Sequence, residues 1–578
     1  MFYIMRKTLL TICVAASAAM TVFGQTKAEY QWYKTLDITT TAAGKSSAVD
    51  AVAEGPNNTA YVGLTFGQAT DATWGGVSLV PAGAEIATAY QKAWTVARID
   101  AATGDFSWHV SALDANVSNN SLKLAATPDG GVIMACNATF NSNTGAGAPV
   151  LMHFTDAKGQ SHTVEVSSTQ TVEGKSPYYG VVMKFSADGA CEWTSTVVPT
   201  EFFVADKFDA NVVAVNALAV DAEGRAYVGG TYKTCFEIGD DVVPFALNIG
   251  VEKDGKTYNN GDAFILRLGA DGTPEAALCA GATAPYAAKE ALQALAVDGD
   301  KLYTAVIVDG AGGEMHYSLF GVKTEVSSEA NANVVYGVID LNTFTCEKAS
   351  ALVAANTTAQ PSHNAQVKNI QVAADKLYIS GCQTGAFTQS GKTIVESAAK
   401  QLQSETVAIS TSTLEAVAAY APNEASIGYD FYVIPDATGK VYTLGDQLTG
   451  SACNLYEFEA DGTLVGKTPL AVGPTNLAPA LFINATQQLL VPMYGKSLSS
   501  LPDVDVATPT YSGFRGFLTS YKLPSLSMSG ISVADVDVEI EDAPVEYFSI
   551  QGIRIAHPDK GTLVIRRQGH NAVKQIFR

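Results

Sequence analysis

The chain has 578 residues, of which 47% are hydrophobic and 16% are charged. Globular chains average about 25% charged residues, and this composition excludes disordered, collagen-like and coiled-coil proteins. Acidic residues outnumber basic residues by 57 to 36, which gives a net charge of −21. We therefore expect no nucleic-acid partner, because phosphate binding requires a basic surface.

The N-terminus has the pattern of a secretory signal peptide. Arg6 and Lys7 precede an apolar run over residues 8–19, and small residues follow up to Gln25. A membrane anchor is the alternative, but a span needs about 20 apolar residues and this run is shorter. We assign residues 1–24 to the signal and expect an exported protein without a transmembrane span after cleavage. Its expected location is the cell surface or the extracellular space, with the periplasm as the alternative.

A two-strand module recurs along the rest of the chain. It consists of a strand with alternating apolar residues, a turn rich in Asp, Asn or Gly, and a second strand that ends near Tyr-Val-Gly. The copies cover residues 49–63, 121–136, 214–230, 292–306, 368–381, 429–445 and 477–495. Repetition at this spacing predicts a repeat architecture.

A second module follows each copy of the first, and its tight turn often carries Asp-Gly. Its copies cover residues 94–110, 181–194, 263–278, 335–349, 407–419 and 454–467, and a truncated one covers 514–523. Two modules supply four strands. Four-stranded units repeated around an axis form a β-propeller. We therefore predict an all-β fold, a seven-bladed β-propeller over residues 25–524.

The truncated seventh unit lacks its fourth strand, and residues 30–36 have no partner of their own. They resemble the predicted fourth strands at 106–110 and 191–194, each of which also contains a tryptophan. We predict that this N-terminal strand completes the seventh blade and closes the ring, which also hides strand edges that favour aggregation.

The repeated motifs resemble a known family of repeats. Residues 262–272, together with the Tyr-Val-Gly strands, are similar to the SBBP-type β-propeller repeats of exported bacterial proteins. The resemblance extends over residues 30–523. It implies a propeller fold and no single activity.

The longest insertions fall between the second and third strands of the units, at residues 67–92, 141–177, 233–260, 308–332 and 383–403. Hairpin patterns occur within them at 72–79, 236–243 and 387–394. These insertions would elaborate one face of the propeller, and variable loops on a rigid scaffold often carry binding sites. The alternative is that the hairpins belong to the repeat and widen the blades.

Local motifs of catalysis or metal binding are absent from the sequence. Residues 250–257 match the P-loop string, but no helix pattern follows, and Asp254-Gly255 predicts a hairpin turn instead. The carboxylate pairs Asp240-Asp241 and Asp503/Asp505 have no assigned role. The histidines form no H-E-x-x-H or H-x-H motif; they are His109, His153, His162, His316, His363, His557 and His570.

These patterns lead us to expect no metal and no cofactor, and they leave the catalytic residues unknown. We expect His109 to be structural. His153 and His162 share one insertion, where we expect a solvated loop; the alternative is that they flank a hairpin. Cys191 and Cys346 occupy matching positions in blades that are not neighbours. We therefore predict that they do not form a disulfide.

The C-terminal part has a different composition. Residues 525–544 form an acidic linker, and residues 545–578 contain four short predicted strands. The segments 546–555, 561–569 and 574–576 resemble C-terminal modules of exported Bacteroidetes proteins that are related to the type IX (Por) secretion sorting domain. The resemblance implies the type IX secretion machinery as a partner. The alternative is a β-structured tail without a sorting function.

The sequence thus favours a binding or interaction protein that presents the loops of one propeller face to a glycan or protein ligand. Two alternatives remain. One is a carbohydrate-active hydrolase or lyase whose site is dispersed around the propeller mouth. The other is a structural surface scaffold.

Overall fold

The computed structural model describes part of the chain. The described residues are 28–38, 46–67, 71–80, 92–117, 121–139, 150–166, 178–199, 213–232, 236–238, 241–243, 251–253, 256–258, 261–282, 289–309, 315–326, 333–355, 365–383, 385–396, 403–422, 427–436, 440–447, 452–501, 504–506, 513–523, 545–548, 554–555, 563–568 and 571–576. Every regular element among them is a strand, which confirms the all-β prediction.

The strands follow one another in the order predicted from the repeats. The first group is β1 (Glu29–Asp37), β2 (Ser47–Gly55), β3 (Thr59–Gly67), β4 (Thr73–Trp74), β5 (Val77–Ser78), β6 (Lys92–Asp100), β7 (Phe106–Ala112), β8 (Lys123–Ala126), β9 (Val132–Thr139), β10 (Val150–Thr155), β11 (Ser161–Val166), β12 (Tyr178–Phe185), β13 (Cys191–Pro199), β14 (Val213–Val220) and β15 (Ala226–Tyr232). The second group is β16 (Phe236–Ile238), β17 (Asp241–Val243), β18 (Val251–Lys253), β19 (Lys256–Tyr258), β20 (Asp262–Leu268), β21 (Pro274–Ala282), β22 (Lys289–Asp298), β23 (Lys301–Asp309), β24 (Met315–Leu319), β25 (Val322–Val326), β26 (Asn333–Asp340), β27 (Thr345–Ala355), β28 (Ala365–Ala373), β29 (Lys376–Gln383) and β30 (Ala386–Gln389). The third group is β31 (Lys392–Glu396), β32 (Gln403–Ser410), β33 (Ala416–Tyr420), β34 (Ile427–Pro435), β35 (Val441–Gln447), β36 (Ala452–Phe458), β37 (Leu464–Leu477), β38 (Leu481–Ile483), β39 (Gln488–Leu501), β40 (Val504–Asp505), β41 (Arg515–Lys522), β42 (Val545–Phe548), β43 (Arg554–Ile555), β44 (Leu563–Gln568) and β45 (Asn571–Ile576).

Each predicted set of four strands forms an antiparallel sheet. The first five sheets have the strand orders β2-β3-β6-β7, β8-β9-β12-β13, β14-β15-β20-β21, β22-β23-β26-β27 and β28-β29-β32-β33. The sixth set is β34-β35-β36-β37, and the last consists of β38, β39, β41 and β1. We number these sets one to seven. Pairing between β37 and β39 joins sets six and seven into one larger sheet.

The N-terminal strand pairs with the strand that ends the repeats. β1 runs antiparallel to β41, with Tyr33 opposite Thr519 and Leu36 opposite Gly516. The Leu36 side chain is fully buried, and Trp32 is 9% exposed. The hydroxyl of Ser47, at the start of β2, donates to the Leu36 carbonyl at 2.8 Å. The partner of residues 30–36 is therefore the one predicted from sequence.

The first strand of each set packs against the first strand of the next. Contacts run from β2 to β8, and then in turn to β14, β22, β28 and β34. β2 also contacts β38 and β39 of the last set. Buried aliphatic and aromatic residues fill the spaces between successive sheets. Antiparallel four-stranded sheets that pack in sequence through their inner strands are the architecture of a β-propeller.

Four hairpins inserted between second and third strands extend the sheet that precedes their own, whereas β10-β11 and β18-β19 form separate two-stranded sheets. The hairpin β4-β5 pairs with β1, β16-β17 with β13, β24-β25 with β21, and β30-β31 with β27. In the same way, the C-terminal end of β39 pairs with both β37 and β40 and so extends set six. The hairpins predicted at 72–79, 236–243 and 387–394 are thus confirmed. They widen blades, as the alternative interpretation held, and the blade they widen is the preceding one.

A tryptophan on the fourth strand of three sets binds the turn between the third and fourth strands of the next set. Trp32, Trp108 and Trp193 donate Nε1–H to the carbonyls of Ala101, Ala187 and Ala270, each at 2.9 Å. The indole of Trp193 also covers Gly272, whose φ is +83°. The tryptophans and the Asp-Gly turns seen in the sequence therefore meet across neighbouring sheets.

Within the described part of the chain, no helix meets the length and hydrophobicity that a membrane span requires.

The chain divides into two compact units, Met1–Ile531 and Ser532–Arg578. The boundary lies inside the predicted acidic linker. The second unit contains one antiparallel sheet with the strand order β43-β42-β44-β45, and all four of its predicted strands are present.

Candidate functional site

The inner strands of four sets carry a β-bulge at the same level. The register shifts leave one residue of the inner strand unpaired, namely Asp50, Asn216, Gln293 or Lys368. The next residue in each case pairs with the Gly position of the Tyr-Val-Gly strand, which is occupied by Gly63, Gly229, Ala305 or Ser380. Bulges redirect side chains and are common beside active sites. We call Asp50, Asn216, Gln293 and Lys368 the bulge set.

The bulge set lies along the central channel of the propeller. Asn216, Gln293 and Lys368 are partly exposed, whereas Val215, Leu292 and Val367, the residues just before them, are buried. Innermost strands border the channel of a propeller. The bulges occur in the first half of these strands, close to the face that carries the insertions between second and third strands. Four polar side chains thus lie near that mouth of the channel.

Two members of the bulge set also bind the backbone of the next inner strand. The Leu122 N–H donates to Asp50 Oδ2 at 3.2 Å, and Asn216 Nδ2 donates to the Leu292 carbonyl at 3.0 Å. Between sets two and three this role belongs to Asn137 of β9, which binds both the N–H and the C=O of Val215. These bonds give partners to backbone groups of the inner strands that would otherwise be buried without one.

Asp50 is a buried carboxyl group beside the channel. It is 6% exposed and accepts a hydrogen bond from Thr65 Oγ1 at 3.0 Å. Burial raises its pKa to about 7, although its hydrogen bonds and the charges of Lys123 and Lys92 act in the opposite direction. A carboxyl group with such a pKa can gain or lose a proton at neutral pH.

Lys123 and Lys368 bring two positive charges to the channel from sheets that are not neighbours. Lys123 begins β8 in set two, and Lys368 is the bulged residue of β28 in set five. Burial lowers the pKa of Lys123; the charge of Asp50 raises it and that of Lys368 lowers it further. The two lysines thus influence each other although their sheets are not adjacent.

The histidines do not assemble into one site within the described residues. His109 lies on the outer strand β7 against Phe106, and burial lowers its pKa. His153 and His162 lie in the hairpin β10-β11, so the expectation of a solvated loop was wrong and the alternative holds. They bind Asp114 at 2.7 Å and Asp156 at 2.9 Å. His316 is part of β24. His363, His557 and His570 lie outside the described residues.

The other sequence candidates lie apart from the channel. Asp241 is in β17 and Asp505 in β40, while Asp240 and Asp503 fall outside the described residues. β18 and β19 pair with each other, with Lys253 opposite Lys256, and the predicted turn residues Asp254 and Gly255 lie outside the described residues.

The cysteines and acidic groups give no metal site in the parts of the chain that the structure covers. No group of three or more His, Cys, Asp or Glu residues there has the geometry to hold a metal ion. Cys191 on β13 and Cys346 on β27 are free thiols. Burial raises their pKa values, to about 12 for Cys191 and about 11 for Cys346. They are therefore protonated at neutral pH and are poor nucleophiles.

Sequence reasoning missed the bulge set, although a local signal for it exists. Each member is a polar residue in the first half of an inner strand, ten or eleven residues before the tyrosine of the next strand: Tyr61, Tyr227, Tyr303 and Tyr378. The influence of Lys368 on Lys123 had no such signal, because the two residues lie 245 positions apart in the chain, in different blades.

Comparisons with known proteins show low similarity throughout. No family model and no curated protein matches the chain. A solved structure described as the Dos1 propeller has 9% identity and a TM-score of 0.40, with 87% of this chain and 97% of that chain covered. The polysaccharide lyase Uly1 has 9% identity and a TM-score of 0.40, covering 86% of this chain and 100% of that chain. The propeller domain of the Trilobed protease from Pyrococcus furiosus has 7% identity and a TM-score of 0.26, covering 74% and 97%.

Proposed function

We propose that this protein is an exported binding protein that takes a glycan or protein ligand at the mouth of its propeller channel. In this proposal the ring has seven blades and β1 closes it by pairing with β41. The protein acts at the cell surface or outside the cell, and the C-terminal unit serves the type IX secretion route. The signal-like N-terminus and the sorting-like C-terminal sequence support this location.

The observation that carries the binding function is the bulge set. Four sheets independently place a polar side chain at one level of the channel. Such a set of donors and acceptors in a concave, preformed site is typical of ligand recognition. Four of the inserted hairpins complete the edges of neighbouring sheets, so these four support the scaffold rather than provide free binding loops.

The test is a glycan array, together with a screen for protein partners, on residues 25–578. We expect bound ligands to be lost on Gln293→Ala, which removes a polar group of the bulge set. Gln31→Ala makes the same change on the exposed face of β1 and should bind as wild type does. Ligands that bind equally to the wild-type protein and to both variants would place the binding site away from the channel.

A second function, a hydrolase or lyase, is favoured by the titration of two channel groups. Asp50 has a pKa near 7, and the pKa of Lys123 is lowered, mainly by burial in both cases. Groups of this kind can exchange protons with a substrate at neutral pH. Turnover of a polysaccharide that is abolished by both Asp50→Asn and Lys123→Met would establish this function in place of simple binding.

A further inference from the structure

The faces that pack between sets five and six are partly polar. Tyr378 and Tyr420 of set five and Tyr456 of set six belong to one apolar cluster, which identifies the two faces in contact. Thr443 lies directly opposite Tyr456 in the ladder, and Asn454 precedes Tyr456 by two residues in the same strand. Residues opposite each other or two apart share a face of a sheet, so this junction includes a hydroxyl and an amide.

Both of these polar side chains are buried and carry an atom without a partner. Thr443 is fully buried, and Asn454 is nearly so. Thr443 Oγ1 and Asn454 Nδ2 have no hydrogen-bond partner among the described residues. Asn454 pairs with Gly445, two residues beyond Thr443, so the two side chains are diagonal neighbours that one small molecule can bridge. Ordered water commonly supplies the bonds that buried polar groups lack.

A pair of hydroxyl groups on set five lies at the same level. Ser380 and Thr406 are fully buried, and their hydroxyl oxygens are 2.6 Å apart. Ser380 follows the repeat tyrosine Tyr378 by two residues, which places it on the face toward set six. Thr443 follows the repeat tyrosine of β35 by one residue. The bond between the two hydroxyls uses one of their two hydrogens, and the other can be donated across the junction.

Apolar side chains occupy the corresponding positions in the junction between sets one and two. Met134, Cys136 and Val181 of set two stand where set six has Thr443, Gly445 and Asn454, and all three are fully buried in one apolar cluster. That junction needs no polar partner. In the junction between sets five and six, the hydroxyl and amide groups need one, and Thr443 fills less volume than the methionine at its position in set two.

We propose that one water molecule is bound inside the junction between sets five and six. It accepts hydrogen bonds from Asn454 Nδ2 and from the Ser380–Thr406 hydroxyl pair, and it donates one to Thr443 Oγ1. Three such bonds are typical of a buried water. The four side chains that bind it are uncharged, so an ion would lose its hydration without a compensating charge. The bound molecule is therefore neutral, and it is a structural part of this junction.

The chain offers a matched control for the test of this water site. Thr304 holds the position of Thr443 in set four, is fully buried, and also has an Oγ1 without a partner among the described residues. Val335 stands there in place of Asn454, so no amide completes a water site. Thr304→Val should leave the equilibrium constant of unfolding unchanged or lower it, because it removes an unpaired hydroxyl.

Thr443→Val should have the opposite effect, because the water loses a partner. We expect the equilibrium constant of unfolding to rise by about fivefold, which corresponds to about 1 kcal/mol. Chemical denaturation of residues 25–578 measures both variants. A fall in the constant for Thr443→Val, or a change equal to that of Thr304→Val, would overturn the water site.

A second measurement uses the wild-type chain and does not depend on any variant. A crystal structure should show a solvent peak within hydrogen-bond distance of both Asn454 Nδ2 and Thr443 Oγ1. The absence of such a peak in a well-ordered junction would overturn the inference. The proposed binding function is independent of either outcome, because the glycan and partner screens concern the channel.

Discussion

Asn137 and Val215 are joined by two hydrogen bonds that cross from one sheet to the next. Asn137 Nδ2 donates to the Val215 carbonyl at 2.8 Å, and the Val215 N–H donates to Asn137 Oδ1 at 2.7 Å. Val215 directly precedes the bulged Asn216, so the bulge leaves its backbone groups available. One amide side chain therefore replaces part of a strand ladder at a junction between blades.

The first prediction concerns this junction. Asn137→Asp keeps the size of the side chain but replaces the donor to the Val215 carbonyl with an oxygen. We expect the free energy of unfolding to fall by about 1–3 kcal/mol, the cost of leaving a buried polar group unpaired. Chemical denaturation measures it. Asn58→Asp, in an exposed turn, should change it by less than about 0.5 kcal/mol. Equal effects of the two changes would show that the Asn137 bonds add no stability.

The second prediction is a pH dependence that Asp50 causes. The folded protein holds the Asp50 proton up to a pKa of about 7, whereas the unfolded chain releases it near the ordinary value of 3.8. Stability therefore falls as pH rises from about 4 to about 7, by up to roughly 4 kcal/mol from this group.

Asp50→Asn removes this titration and keeps a group that can accept from Leu122. The variant should gain stability relative to wild type between pH 5 and pH 8, as measured by melting temperature at each pH. Asp298→Asn, at an exposed position, serves as the control. A stability difference between Asp50→Asn and wild type that does not change with pH would contradict the assignment.

The third prediction concerns the N-terminal strand. A chain that begins at Ile38 lacks β1 and with it the buried Leu36 and Trp32. It should lose at least several kcal/mol of stability, since truncating one such side chain typically costs about 2–5 kcal/mol. A chain that begins at Ala28 should melt like the mature protein. If the chain starting at Ile38 also melts like it, β1 does not close the propeller.

The fourth prediction separates backbone strain from packing at two glycines with matching φ. Gly272 and Gly159 have φ values of +83° and +82°. A Cβ at Gly272 would lie 2.5 Å from Trp193, whereas one at Gly159 would meet nothing within 4 Å. Gly159→Ala should lower the free energy of unfolding by about 1–2 kcal/mol, because a positive φ is unfavourable for alanine. Gly272→Ala should lower the free energy of unfolding by more than Gly159→Ala does, and it should shift the tryptophan fluorescence. Equal losses for the two variants would show that Trp193 does not pack against Gly272.

The fifth prediction concerns the C-terminal unit. A chain cut after Ser529 ends before the second unit begins at Ser532. It should keep the melting temperature and ligand binding of the first unit but remain in the periplasm of its host. Cell fractionation measures the location. Normal surface delivery of the cut chain would show that the sorting resemblance has no function, and loss of folding would show that the domain boundary is wrong.

Much of the strand pairing followed from the sequence, because its signals are local. The Asp-Gly turns and the alternating apolar residues fix each hairpin within about twenty positions, as in residues 214–230, where β14 and β15 pair as predicted. The partner of β1 was also predictable, because one strand in the chain lacked a partner and one unit lacked a strand.

The site depended on the tertiary structure. Which sheet receives an inserted hairpin is decided by packing between blades, so β16-β17 joins β13 rather than the sheet that its own neighbours form. The raised pKa of Asp50 depends on burial, and the lowered pKa of Lys123 depends on burial and on the charge of Lys368. Neither quantity is encoded in a local pattern, because desolvation and Coulomb interactions act through space between residues far apart in the chain.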